Sequence, residues 1–358
     1  MTVLKRLLAV ALVASASVVT ACSDSVGPED VDPEQLAAGV EALSGVFANN
    51  AAFTSLQSLA ETFPPLAGAP MRAALAPLDA LSQLRRSPHS ARLALQTARA
   101  AVRSPSGLHA WLPTDLRGRT FVWDVDADEY VINPLVSGAP VNGMRVRLYL
   151  IDPATGMPFE VPSLQQIGYV ELTDESDNQV NQMGVLVNML GATVADYAIT
   201  ETPSLSTPHL DALGYFRNAD GTRQASFDLS LLDHVQTGLL EMDYRVAGDE
   251  GTFINVNAVG NDDGSTIAFE VGRGRNSIAL EAVQDDLNNT INGTIAYNGT
   301  TVGTITGPAD DPDIAGANGH ELTNNELFAI GQIFGTSLLF LLVLTIGVFG
   351  PAVIVFGF

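Results

Sequence analysis

Cysteine occurs once in this 358-residue chain, lysine once and tryptophan twice. A single cysteine excludes an intramolecular disulfide framework and any cysteine-based metal centre. Basic side chains are scarce as a class, seventeen against forty acidic ones, for a formal charge of −23. A surface of that sign repels phosphate backbones, so no nucleic-acid partner is expected. The chain also lacks a GxSxG elbow, an HExxH helix, a Walker loop and a complete dinucleotide fingerprint. Gly272, Gly274 and Ser277 come nearest to the last, in a strand-turn-strand context where glycines mark a tight connection. No cofactor is expected.

The lone cysteine stands at a telling place. Lys5 and Arg6 form a positive n-region and Leu7 to Val19 an apolar stretch too short to cross a bilayer, as in a signal peptide over residues 1–21. Val19, Thr20, Ala21 and Cys22 resemble the lipobox of bacterial lipoproteins, with valine and threonine as variants of the usual residues. The resemblance implies lipidation of Cys22, palmitate or similar acyl chains on the mature amino terminus, and a membrane as partner in the cell envelope, facing the periplasm or exterior. Ser23 stands where an aspartate would signal inner-membrane retention. Removing Lys5 and Arg6 with the leader leaves fifteen basic residues against forty acids, a charge of −25.

Residues 22–31 read as a lipidated tether and 32–118 as a helical region. Asp32 suits an N-cap and Pro33 a first turn, with Leu36, Val40, Leu43 and Phe47 at helical spacing. Three further helices are expected near 51–62, 70–84 and 88–103, the last two rich in alanine and arginine. From Arg119 the period changes to two. Met144, Val146, Leu148 and Leu150 alternate with Arg145, Arg147 and Tyr149, and Leu240, Met242, Tyr244 and Val246 with Glu241, Asp243 and Arg245. Similar runs at 225–231, 254–258, 267–271 and 278–282, separated by Asn, Asp and Gly turns, predict an antiparallel meander of about a dozen strands over 119–306. A curved sheet, a half-barrel and a sandwich all fit. The fold class is therefore mainly β with N-terminal helices.

An acidic linker, 307–323, precedes an apolar run. Thr323 and Glu326 make a capping box, and residues 327–349 carry no charge over a length sufficient to cross a bilayer. A transmembrane helix over 324–349 is the first expectation, ended by Gly350 and Pro351, with 350–358 as an apolar tail. A helix buried against the sheet and a closing barrel strand are the alternatives. Gly331 and Gly335 give a GxxxG spacing. Under the membrane reading, deleting 324–358 leaves a soluble domain once Cys22 is changed to serine.

Chemistry is thinly signalled. Asp124, Asp126 and Asp128 repeat like a calcium loop, but Glu129 stands where that loop needs glycine and Leu135 where it needs a bidentate glutamate. Asp310, Asp311 and Asp313 form a second acidic cluster. Three functions stay open: a noncatalytic envelope lipoprotein that binds or scaffolds at a membrane surface; a carrier of lipid or another apolar ligand; and an envelope hydrolase. The carrier reading rests on a likeness to the lipoprotein-sorting carriers, whose half-barrel this architecture resembles over about residues 30–306, without transfer of residues. The hydrolase reading requires His209 or His234 beside an acid and a nucleophile in one cleft. His89, His109 and His320 are scattered elsewhere.

Overall fold

A computed structural model describes residues 31–48, 56, 112–152, 157–160, 163–202, 204–218, 220–261, 263–309 and 312–356. The change of period at Arg119 is a change of architecture. Before it lies helix α1 (Pro33–Ala48), whose cap is as expected: Asp32 Oδ1 accepts from the amides of Glu34 at 3.0 Å and Gln35 at 3.1 Å. Of the helix expected near 51–62 only Leu56 is among the described residues, helical and buried, and those expected near 70–84 and 88–103 lie outside them.

After it, among the described residues, fifteen strands form one sheet. β1 (Arg119–Asp124) and β2 (Glu129–Ile132) make a hairpin, and β3 (Gly143–Tyr149) adds to β1 in parallel. From there each strand pairs antiparallel with the next. They are β4 (Gln166–Asp174), β5 (Asn181–Met189), β6 (Ala192–Thr202), β7 (His209–Arg217), β8 (Gln224–His234) and β9 (Leu239–Gly248). The meander continues through β10 (Thr252–Gly260), β11 (Gly264–Arg273), β12 (Asn276–Asp285), β13 (Thr290–Tyr297), β14 (Thr300–Pro308) and β15 (Asp313–Gly316). β2 and β15 are the two edges and do not pair, so the sheet is neither a closed barrel nor a sandwich. Both edge strands are four residues long, which limits the unpaired backbone offered to other chains. The strands overrun the expected domain, since β15 lies in the segment read as a linker.

Alternation sorts the two faces. Ala225, Phe227, Leu229 and Leu231 of β8 are buried, while Ser226, Asp228 and Ser230 between them face outward. The same parity holds on β9, with Leu240, Met242, Tyr244 and Val246 inside and Glu241, Asp243 and Arg245 outside.

Among the described residues, helix α1 and a C-terminal helix cover the apolar face. Helix α1 lies over β7 to β11: Phe47 meets Phe216 at 5.3 Å between ring centroids, and Leu43 and Gly39 close on Gly248 and Thr252. Helix α2 (Asn324–Phe356) begins at the expected capping box, where Thr323 Oγ1 accepts from the Glu326 amide and Glu326 Oε2 from the Thr323 amide. Its Phe334 packs on Phe269 of β11, its Thr345 on Tyr244 of β9 and its Val348 on Tyr197 of β6. From Phe334 to Val348 a helix advances about 21 Å. From β11 to β6 is five strand spacings, about 24 Å. The helix thus runs nearly across the strands.

This position corrects the expectation of a transmembrane segment. Ile330, Ile333, Phe340, Leu344, Val348 and Phe349 are buried against the sheet and α1, with Phe340 edge-on to Phe47 at 4.9 Å. Among the described residues no helix is long and apolar enough to cross a membrane. A helix lying across a broad apolar sheet needs apolar side chains along its whole length, as a span does, so one composition serves both settings. The helix also does not stop at Gly350 and Pro351 but runs to Phe356. Gly331 and Gly335 have no side chain or backbone of another element near them, so no helix pairs on the GxxxG among the described residues.

Candidate functional site

The outward residues of β7, β8 and β9 bring together the polar groups best suited to chemistry. Register sets Asp211 opposite Ser230, Ser230 opposite Asp243, and Asp243 opposite Asn257 of β10. His209, two residues before Asp211 and so on the same face, reaches both neighbours: Nε2 is 2.8 Å from Ser230 Oγ and 3.0 Å from Asp211 Oδ1. An imidazole, an acid and a hydroxyl therefore meet on one strand pair, the combination that the hydrolase reading asks for.

Their geometry does not form a relay. A Ser-His-acid relay places the nucleophile on one ring nitrogen and the acid on the other, so that a proton taken from the hydroxyl is balanced across the ring. Here both partners share Nε2, and an acid at that nitrogen competes with the hydroxyl. Backbone amides of the kind that hold an oxyanion are here committed to the ladder, since β7 and β8 are paired on both sides. His209 and Asp211 are each about one-third exposed, at 35 % and 36 %, on a strand face rather than in a cleft. His234 pairs in turn with Glu241 at 2.8 Å, and Arg245 with Asp243 at 3.1 Å. The surface is a lattice of exposed polar contacts, in which the Arg245–Asp243 ion pair is worth about 0–1 kcal/mol.

The calcium candidates are turn residues. Asp124 Oδ1 accepts from the amides of Asp126 and Ala127, and Asp128 takes the left-handed conformation at φ 53° that closes the β1–β2 hairpin. Among the described residues no three His, Cys, Asp or Glu side chains gather to hold a metal. Asp313 lies on edge strand β15, and Asp310 and Asp311 lie outside the described residues. So do Cys22, His89 and His109. His320 sits 3.0 Å from Glu326 at the start of α2 and edge-on to Tyr297. Gly274, at φ 64°, closes the β11–β12 turn, as the strand-turn-strand reading of the glycines requires.

Polar groups also sit on the apolar side. Asn181 Nδ2 donates to Glu201 Oε2 at 2.9 Å across β5 and β6, and Asp233 is fully buried on β8. Thr345 Oγ1 donates to the Tyr244 hydroxyl at 3.0 Å, and the Tyr197 hydroxyl to the Val348 carbonyl at 3.2 Å. Burial pushes both phenols far above the ordinary tyrosine range, Thr345 pulling slightly the other way at Tyr244, so both stay protonated. These are fasteners between α2 and the sheet. Sequence reading missed them, and it missed Asp211 and Ser230 as companions of His209. Alternation places each of these side chains on a face, but which strands are neighbours is needed to bring them together. No family model, curated protein or solved structure matches this chain.

Proposed function

We propose that this protein is a lipid-anchored protein of the bacterial cell envelope that binds or scaffolds through its sheet without catalysing a reaction. The observation that carries the noncatalytic part is the His209 cluster, whose acid and hydroxyl share one ring nitrogen on an open strand face. The address rests on the Val19–Cys22 lipobox. The test of the address is intact mass spectrometry of the protein extracted from membranes. A mature chain beginning at Cys22 with added acyl mass is expected, and a different amino terminus or an unmodified cysteine defeats it.

A carrier of apolar ligand ranks second. It has the apolar sheet face such a function needs, but α1 and α2 lie on that face with bulky side chains such as Phe47, Phe340 and Leu344. The Cys22→Ser protein is accordingly expected to purify without bound lipid and to leave a fluorescent fatty acid in solution. Stoichiometric lipid in the purified protein would favour the carrier.

A further inference from the structure

Asparagine followed two residues later by serine or threonine is the acceptor pattern for attachment of a saccharide to the asparagine side chain. It occurs three times in the chain, at Asn288–Thr290, Asn292–Thr294 and Asn298–Thr300. All three fall on β13 and the turns at its two ends. Such triplets arise by chance in any chain rich in asparagine and threonine, so the setting of each carries the argument.

The settings select one of them. Asn298 opens the tight Asn298–Gly299 turn at φ 46°, and its side-chain oxygen already accepts from the Ser277 amide at 2.9 Å. Asn292 is exposed, but it lies inside β13 with Val283 of β12 opposite it on one side and Thr306 of β14 on the other. An enzyme would have to lift it out of two ladders, whose backbone groups are costly to leave unpaired. Asn288 stands clear of both. It lies in the turn 286–289 between β12 and β13, exposed together with Leu287 and Asn289. Exposed loop tips are where modifying enzymes reach a folded chain.

The turn is also built so that attachment leaves it intact. Asp285 Oδ2 accepts from the Asn288 side-chain nitrogen at 2.7 Å, and Oδ1 from the Asn288 amide at 3.0 Å. These two bonds, the side-chain one first, hold the Asp285 carboxyl below the usual carboxylate range. Nδ2 of an asparagine carries two hydrogens, and Asp285 engages one of them. A saccharide replaces the other, so the bond to Asp285 survives the modification. Leu287, the neighbouring residue, is 76 % exposed and comes under the first sugar.

We propose that Asn288 is an N-glycosylation site, whose Nδ2 takes a saccharide from a lipid-diphosphate carrier in the membrane across which the chain is exported. Nδ2 forms a bond to the anomeric carbon of the sugar and gives up one proton. The bond from that carbon to the diphosphate oxygen breaks, and the lipid diphosphate leaves with its electron pair. Nothing is oxidised or reduced. Thr290 supplies the hydroxyl by which the triplet is recognised. The inference rests on the envelope address, since an exported chain and a donor of that class meet at the membrane.

Peptide mass spectrometry of the full chain purified from the membranes of its own cells reads Cys22 and Asn288 in one digest. Saccharide mass is expected on Asn288, with Asn292 and Asn298 bare. Thr290→Ala leaves Asn288 and its bonds to Asp285 in place and should lose the saccharide completely. Thr290→Ser should keep it, and Asn292→Gln should change nothing. A bare Asn288 in the parent protein overturns the proposal. So does a saccharide that persists in Thr290→Ala, or one carried by Asn292 in preference to Asn288. An acylated Cys22 with a bare Asn288 removes the site and leaves the address, whereas an unmodified Cys22 with a saccharide on Asn288 removes the anchor and leaves the site.

Discussion

The two faces of the same strands differ as much as two different proteins. Inside β8, Phe227 packs against Phe216 and Tyr197 at centroid distances of 5.6 Å each, in a row that α1 extends through Phe47. One residue along, outside, Ser226 stands opposite Tyr215, Asp228 opposite Leu213 and Arg245, and Ser230 opposite Asp211 and Asp243, on a face open to solvent. The comparison teaches that stability resides on one face and solubility on the other, and that a shift of a single residue in register would exchange them.

Removing the inner cover gives the largest expected effect. Deletion of residues 324–358 from the Cys22→Ser protein strips six buried side chains from the sheet: Ile330, Ile333, Phe340, Leu344, Val348 and Phe349. At about 1.5–3 kcal/mol each, their burial is comparable to the whole of an ordinary domain's net stability, about 5–15 kcal/mol. The truncated chain should aggregate or lose its cooperative thermal transition, the reverse of what a membrane span predicts. A soluble truncated protein that melts with the parent would show that α2 contributes nothing to the core.

Next in size is a contrast of single substitutions. Phe216→Ala removes a fully buried ring that touches Phe47, Tyr197 and Phe227. It should cost about 3–5 kcal/mol in urea unfolding. Ser230→Ala and His209→Ala, each on the outer face, should stay within about 0.5 kcal/mol. A large loss at His209 or Ser230 would mean that the outer lattice carries stability.

The smallest effect is a pH dependence at the seam between the faces. Burial opposes ionisation of Glu326, but the Thr323 amide and hydroxyl, followed by His320, hold its carboxyl below the usual glutamate range. A carboxylate depressed on folding stabilises the native state above its unfolded pKa and loses that contribution as pH falls through the folded value. Glu326→Gln should therefore lower Tm at pH 7, and the gap from the parent should shrink below about pH 4.5. A gap independent of pH would assign the loss to hydrogen-bond geometry alone.

Much of this was legible in the chain. The capping box at Thr323 and Glu326, the cap at Asp32 and the alternation along 144–150, 225–231 and 240–246 each state a local preference that the fold keeps, because turns and pleats depend on residues adjacent in sequence. What a local pattern cannot carry is the partner. Residues 327–349 are apolar whether lipid or a sheet surrounds them, and only the sheet's own breadth, fifteen strands with one apolar face, decides for the sheet. His209 is two residues from Asp211 but twenty-one from Ser230, and only the pairing of β7 with β8 joins all three. It also puts two partners on one nitrogen, a matter of ångströms and angles that no spacing encodes. The sequence by itself determined the strands, caps and polarity of each face; tertiary structure alone decided what lies on the apolar face and that the histidine cluster is not a relay, since both depend on contacts between residues far apart in the chain.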